Sequence, residues 1–359
     1  MLLLAPALSQ CSANFKFPVR QKTYLALVSS AGAELHEWNP TTGQLTTQSA
    51  GSISEIFNFG TALGDFLVLQ RPTSFETYRY RDTRNVFSME ETATASVPMA
   101  CTPTLQLIVD PVRDLLIQIC NTAFAVYSLD SGSGILAHLG TKALGFTINP
   151  GRRHPAALAP SAGILTVVRY GTGHLVTYQW NDTSRSFETV AGSPFTIYPT
   201  LAVATLPVAV GFNPDRSEFA VAGEYFSGVL GKFFDTMTLD AANATLTSAG
   251  QGRTFTSSAA GEFYGPVWVS SLSSYVYSRA ETGVSRVYIG TSIVDSALAQ
   301  AGALVVDPTE QWVMAADGSG SGLELFLLSS DPPKLTSQGT ISTSAQIKSL
   351  FTVRTVTPL

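Results

Sequence analysis

Apolar residues in this chain fall in short runs rich in β-branched and aromatic side chains, punctuated by Gly, Pro, Asn, Asp and Ser. Apolar positions spaced three and four apart, which would line one side of a helix, are nearly absent. The pattern predicts strands and turns along the whole length. One hairpin recurs within it: an apolar or aromatic strand end, a polar turn, then a restart on an apolar residue. It reads His36-Glu37-Trp38-Asn39, PTTG, Gln44-Leu45; then Tyr78-Arg79-Tyr80-Arg81, DTRN, Val86-Phe87; then Tyr127-Ser128-Leu129-Asp130, SGSG, Ile135-Leu136. Further copies lie at 178–187, 237–246 and 326–335, with a degenerate one at 286–295. Six intervals separate Asn39 from Ser329, which sets the repeat at about 48 residues.

A second motif precedes most hairpins: an apolar strand, a Pro turn, and another apolar strand. Leu107-Ile108-Val109-Asp110-Pro111 leads into LLIQI, Gly211-Phe212-Asn213-Pro214 into EFAVAG, and Val305-Val306-Asp307-Pro308 into WVMAA. Phe146-Thr147-Ile148-Asn149-Pro150 reads as a fourth copy. Ile56-Phe57-Asn58-Phe59 and Val267-Trp268-Val269 read as forms without the Pro. Two strands here and two in the hairpin make four antiparallel strands per repeat, the signature of a propeller blade. The fold class expected is all-β, a seven-bladed β-propeller. Its C-terminal run Ile347-Lys348-Ser349-Leu350-Phe351-Thr352-Val353 resembles an inner strand without a blade after it. Tyr24-Leu25-Ala26-Leu27-Val28 resembles a second strand without an inner one before it. Joining the two closes the ring and removes its open edges. The expected division is a propeller over 21–359 and an N-terminal arm over 1–20 outside the ring.

Composition narrows the setting. Of 359 residues 45% are apolar, enough for a large core, and 13% are charged, against about 25% in an ordinary domain. Ser, Thr, Gly and Ala replace the missing charge. The net charge of −5 and the scatter of Lys and Arg argue against nucleic acid, whose binders present a basic face. The densest basic group, Arg71, Arg79, Arg81 and Arg84, is interrupted by Glu76 and Asp82 and reads as a solvated hairpin face. Three cysteines at wide spacing, Cys11, Cys101 and Cys120, form neither a disulfide framework nor a zinc motif. A Cys101–Cys120 bridge is open to them, with buried thiols the preferred reading. The start, MLLLAPALSQCSA, lacks the basic region of a signal peptide, and no apolar run approaches the length of a spanning helix.

The Asp-Pro or Asn-Pro turn, the apolar strand after it and the Y-x-x-D/N hairpin resemble the repeat of lactonase-like seven-bladed propellers, the group with YVTN repeats and 6-phosphogluconolactonase-type proteins. Residues 105–140, 144–190, 207–248 and 302–338 carry the resemblance; the second strands lack the Tyr-Val-Thr-Asn stretch itself. For the lactonase members it implies hydrolysis of a sugar lactone at one mouth of the channel.

Candidate chemistry is sparse. Lactone hydrolysis requires an activated nucleophile or a metal-bound water, and no elbow, phosphate loop or metal cluster is present; no cofactor is expected. His36, His138 and His174 fall on strands of different blades and read as packed or surface imidazoles. His154, with Arg152 in Gly151-Arg152-Arg153-His154, is the weak catalytic candidate: two arginines and a histidine on a mouth loop suit an anionic substrate. Asp110 and Asp307, each before Pro, read as turn caps. Three functions follow. The preferred one is a non-catalytic structural or binding component of a larger assembly, with a bacteriophage capsid or tail protein as its concrete form. Its setting would be virion or extracellular, its partners other subunits, and its contacts Leu2, Leu3, Leu4, Leu8, Phe15 and Phe17 of the arm. The alternatives are a lactonase-like hydrolase acting on a sugar lactone, and a surface carbohydrate-binding propeller using Trp38, Trp180, Trp268 and Trp312.

Overall fold

The computed structural model describes residues 19–358 apart from 47–48, 84–85, 99–100, 149–153, 198–203, 227–229, 249–252, 257–262, 282–283, 290–291, 299–300, 319, 331 and 344. The arm residues Leu2, Leu3, Leu4, Leu8, Phe15 and Phe17, and Arg152, lie outside the described residues. The described chain forms seven antiparallel sheets, and its helical content is 3-10 alone, at Cys101 and at Ser270–Leu272. Each sheet is a blade, and the innermost strands neighbour one another in a closed cycle. From inside outwards, blade 2 is Phe59–Leu63, Phe66–Gln70, Ser74–Thr83 and Val86–Ser96; blade 3 is Thr104–Asp110, Leu115–Cys120, Ala123–Leu129 and Leu136–Ala143. Blades 4 to 7 begin on the inner strands Ala156–Ala159, Ala204–Asn213, Phe263–Val269 and Ala301–Val306.

Blade 1 closes the ring as the sequence predicts. The C-terminal strand Ile347–Pro358 lies innermost and pairs antiparallel with Val19–Ser29, from Val19 opposite Pro358 to Leu27 opposite Leu350. Gly32–Asn39 follows, and Gln44–Leu45 and Gly51–Ile53 share its outer edge. Outer strands split this way in blades 4 and 5 too.

The second strands show why the apolar runs are continuous instead of alternating. A blade is stacked between two neighbours, so both faces of its second strand are covered. Phe66–Gln70, Leu115–Cys120 and Trp312–Asp317 are buried at every position. Edge-to-face aromatic pairs seal the blade interfaces: Phe75 on Tyr127 at 5.1 Å, Phe124 on Tyr178 at 5.1 Å, and Trp38 on Trp312 at 5.6 Å. Inner strands approach closely enough that a Cβ at Gly211 would collide with the Pro266 carbonyl of the next blade, so that position requires glycine.

Two strand assignments are corrected. Phe146-Thr147-Ile148 is not an inner strand; blade 4 starts at Ala156 and turns at Pro160 into Ile164–Arg169. In blade 2 the inner strand starts at Phe59, and Phe57 instead plugs the core between blades 1 and 2.

Candidate functional site

An antiparallel four-stranded blade sorts its connections onto two faces. Turns joining inner to second and third to outer strands lie on one, the tight-turn face. Links from second to third strands and from blade to blade lie on the other, the long-connection face. On the tight-turn face short polar side chains fold onto their own backbone. Asn39, Asp130, Asn181 and Asp240 each accept two backbone N–H groups of the following turn through Oδ1. Asp110, fully buried, accepts from Val112 N–H at 3.0 Å and pairs with Arg113 at 2.9 Å. Asp307 accepts from the Thr309 hydroxyl and from the N–H groups of Thr309, Gln311 and Trp312. Both aspartates act as acceptors that cap turns.

The long-connection face holds the candidate site. A cavity of about 610 Å³ opens there at the ring mouth where blades 1, 2 and 3 meet, a volume typical of small-molecule sites. The start of the blade 1 inner strand contributes Lys348, whose Nζ donates to Gln346 Oε1 at 3.0 Å. Blade 2 contributes Asn58 and Gln70, and the entry to blade 3 contributes Thr102, Pro103 and Thr104. Thr104 Oγ1 accepts from Gln70 Nε2 and from Gln118 Nε2, each at 2.6 Å. A hydroxyl accepting twice still has its own proton to donate. Gln118, fully buried, is fixed further by donating to the Cys101 carbonyl at 3.2 Å and accepting from Tyr127 OH at 3.1 Å. Gln70 is 2% exposed, and its Oε1 has no hydrogen-bond partner among the described residues. The wall thus offers an ammonium, an amide and a hydroxyl, together with one orphaned buried acceptor. Among the described residues no carboxylate, imidazole or thiol lines the cavity. Among the described residues no group of three or more His, Cys, Asp or Glu stands together as a metal site.

Cys101 and Cys120, preferred above as buried thiols, are joined in a disulfide. Sequence spacing concealed this; strand register brings it about, because Cys120 pairs with Thr104, three residues past Cys101. The bridge ties the segment that forms the blade 3 wall to the end of a fully buried strand.

His154 lies before the blade 4 inner strand, in the link from blade 3, and not after an inner-strand turn. It is half-buried at a φ of 65°, its carbonyl accepts from Val210 N–H at 3.0 Å, and it does not line the cavity. His36 is buried, with Nδ1 2.9 Å from the Thr46 carbonyl and Nε2 3.1 Å from Glu34. His138 packs on Tyr127. His174 is held below its ordinary value, first by burial and then by the Arg169 charge. Arg71 is drawn into pairs with Glu55 and Glu76, and Arg79 donates to Gly132 and lies over Phe66 at 4.8 Å. Trp38 and Trp312 are buried; Trp180 and Trp268 are half-buried with N–H groups bonded to Asp182 and Asp215. None of the four lines the mouth cavity.

Lys348, Gln70, Thr104 and Gln118 escaped the sequence reading. A signal was there: apolar second strands end on a polar residue at the long-connection face, Gln70, Arg169 and Asp317 in blades 2, 4 and 7.

No protein-family model matches the sequence, and no curated protein matches it either. Solved structures do. A protein from Lactobacillus plantarum matches with a TM-score of 0.70 at 16% identity, over 93% of this chain and 100% of its own. A protein from Bacteroides uniformis, proposed to be a 6-phosphogluconolactonase, matches with a TM-score of 0.72 at 11% identity, over 92% and 99%. The periplasmic gluconolactonase of Pseudomonas aeruginosa matches with a TM-score of 0.72 at 11% identity, over 93% and 99%. The chain has the lactonase-like seven-bladed propeller fold. These neighbours overturn the reading of the chain as a non-catalytic assembly component, its bacteriophage capsid or tail form included: rings that superpose on nearly all of it carry lactonase names, and nothing places it in a virion.

Proposed function

We propose that this propeller is a lactonase-like hydrolase acting on a sugar lactone at the mouth cavity between blades 1, 2 and 3. One observation carries the reading: a polar mouth cavity lined by both Lys348 and Gln70, whose buried Oε1 has no partner among the described residues. A sugar lactone has hydroxyls to donate to Gln70 and a carbonyl whose oxygen becomes anionic as water adds. Lys348 and the Thr104 hydroxyl are placed to stabilise that oxyanion, and groups fixed before the reaction do so at little reorganisation cost. Water then adds to the carbonyl carbon, the ring C–O bond breaks, and the product is the open sugar acid. The described wall residues contribute electrostatically and by position. The disulfide supports an extracytoplasmic setting, where such bonds form and persist.

Proton release during hydrolysis of D-glucono-1,5-lactone and its 6-phosphate, above the spontaneous rate, tests the reading. Lys348→Ala is expected to lower kcat/KM by about 100-fold, in line with loss of one oxyanion donor. Gln70→Leu, which removes the orphaned acceptor, is expected to raise KM about tenfold with less effect on kcat, since it contacts ground and transition states alike. Binding of the lactones without turnover would leave a sugar-binding propeller and sink the hydrolase.

A further inference from the structure

A second cavity, of about 380 Å³, opens on the tight-turn face between blades 1 and 7. Arg354, Thr23 and Trp38 stand opposite one another on three adjacent strands of blade 1 and all three line it. Directly opposed residues of antiparallel strands share one sheet face, and here that face turns toward blade 7. Trp38 packs edge-on against Trp312, and Arg354 donates to the Pro308 carbonyl at 2.8 Å. Lys22 and Glu37, which alternate with the row along their strands, also line the cavity and close a 2.9 Å ion pair with each other. Their charges cancel, which leaves Arg354 as the charge of the row. Trp38 is 2% exposed, and its Nε1–H has no acceptor among the described residues. Trp312, Trp180 and Trp268 each have one: the Pro40 carbonyl, Asp182 and Asp215. A buried donor left unpaired is costly unless something else accepts from it.

We propose that this cavity binds a small hydroxylated carboxylate, with its carboxylate on Arg354, a hydroxyl oxygen on Trp38 Nε1–H, and the Thr23 hydroxyl between them. The guanidinium spends one of its five donors on Pro308, and its planar fork suits a carboxylate through two parallel bonds. Three strands at about 4.8 Å spacing put the ends of the row about 10 Å apart. A six-carbon sugar acid reaches across that row and acetate does not. The site is independent of the mouth cavity, which lies on the opposite face.

Titration of the intact chain, with its tryptophan indole nitrogens labelled with ¹⁵N, tests this with D-gluconate and acetate as probes. The Trp38 Nε1–H resonance, assigned by its loss in Trp38→Phe, is expected to shift saturably with gluconate while the other three indoles stay still. Arg354→Gln, an exposed position, is expected to weaken binding at least about tenfold, and Lys348→Ala is expected to leave it unchanged. A Trp38 resonance unmoved at about 20 mM gluconate, a range that covers millimolar affinity, overturns the site. Equal affinity in Arg354→Gln overturns the carboxylate contact, and equal binding of acetate overturns the hydroxylated ligand.

Discussion

The two faces of this ring use the same kinds of side chain in opposite ways. On the tight-turn face, Asn39, Asp130, Asn181 and Asp240 bond to amides two and three residues on. Such bonds form within one hairpin and set the reversal of the chain before anything distant arrives. On the long-connection face, the polar side chains reach into other blades. Thr104 of blade 3 accepts from Gln70 of blade 2, Gly60 N–H of blade 2 donates to Ser349 Oγ of blade 1, and Ala156 N–H of blade 4 donates to Gln106 of blade 3. These bonds exist only in the closed ring. The tight-turn face therefore carries the caps that shape each blade, alongside bonds between blades such as Trp268 to Asp215 and Arg354 to Pro308, whereas the polar contacts at the mouth of blades 1 to 3 depend on the assembled ring, so a site can arise there without disturbing the caps.

The sharpest way to break that division is at Asp307, which is 1% exposed and holds four donors of one turn. Asp307→Ala strands backbone N–H groups, Trp312 N–H among them in the core, and is expected to destabilise the protein by about 4 kcal/mol. Asp307→Asn, which keeps one acceptor oxygen, is expected to cost about half as much. Urea midpoints at constant m would measure both. Turnover per folded molecule at the opposite mouth should be unchanged; if it falls in step with stability, the faces are not separable.

Next in size is the disulfide. Cys101 and Cys120 are 19 positions apart, and closing a loop of that length stabilises by about 3 kcal/mol in the chain-entropy account. The double replacement Cys101→Ser, Cys120→Ser is expected to lose about that much. Unlike Asp307→Ala, it is also expected to raise KM, because the freed segment carries Thr102, Pro103 and Thr104 of the cavity wall. A stability loss with KM unchanged would show that the bridge braces the blade and not the site.

The same contrast explains what the sequence made legible. A turn capped by its own Asn or Asp is written in four or five consecutive letters, so the hairpins, the repeat and the closure at Val19–Ser29 could be read. The error at Phe146-Thr147-Ile148-Asn149-Pro150 is instructive. Those letters copy the motif, but Gly151-Arg152-Arg153-His154 follows where an apolar strand is needed, whereas Pro160 is followed by Ile164-Leu165-Thr166-Val167-Val168. The mouth cavity was not legible because its members come from positions 58, 70, 104 and 348. Nothing local distinguishes Lys348 from any other lysine until ring closure brings it to the same cavity as Gln70. The disulfide was hidden for the same reason: register, not spacing, sets its partners together.

The smallest effect expected is in pH dependence, and it separates the faces by window. On the tight-turn face, Asp130 is held below its ordinary value chiefly by the Ser133 hydroxyl, Asp240 by the Asn243 side chain, and Asp215 by the Ser270 side chain and then the Trp268 indole. A carboxyl lowered by folding contributes stability that is present above 3.8 and lost as pH falls through its folded value. On the long-connection face, His174 is also lowered, but burial is the first cause, and here it is the neutral form that the fold prefers. Above 6.5 both states of the chain are neutral at that position and nothing is gained or lost. Below it the unfolded chain takes up a proton that the folded one resists, so stability falls until the folded value is passed. Stability is therefore expected to show two separate declines with acidification. His174→Gln should remove its share of the first and leave the second intact, while Asp215→Asn should alter only the second. Denaturant midpoints at closely spaced pH values would resolve this. A first decline of the same size in His174→Gln would mean that the imidazole is solvated in the folded ring, and that the long-connection face is open at blade 4 as well as at the mouth of blades 1 to 3.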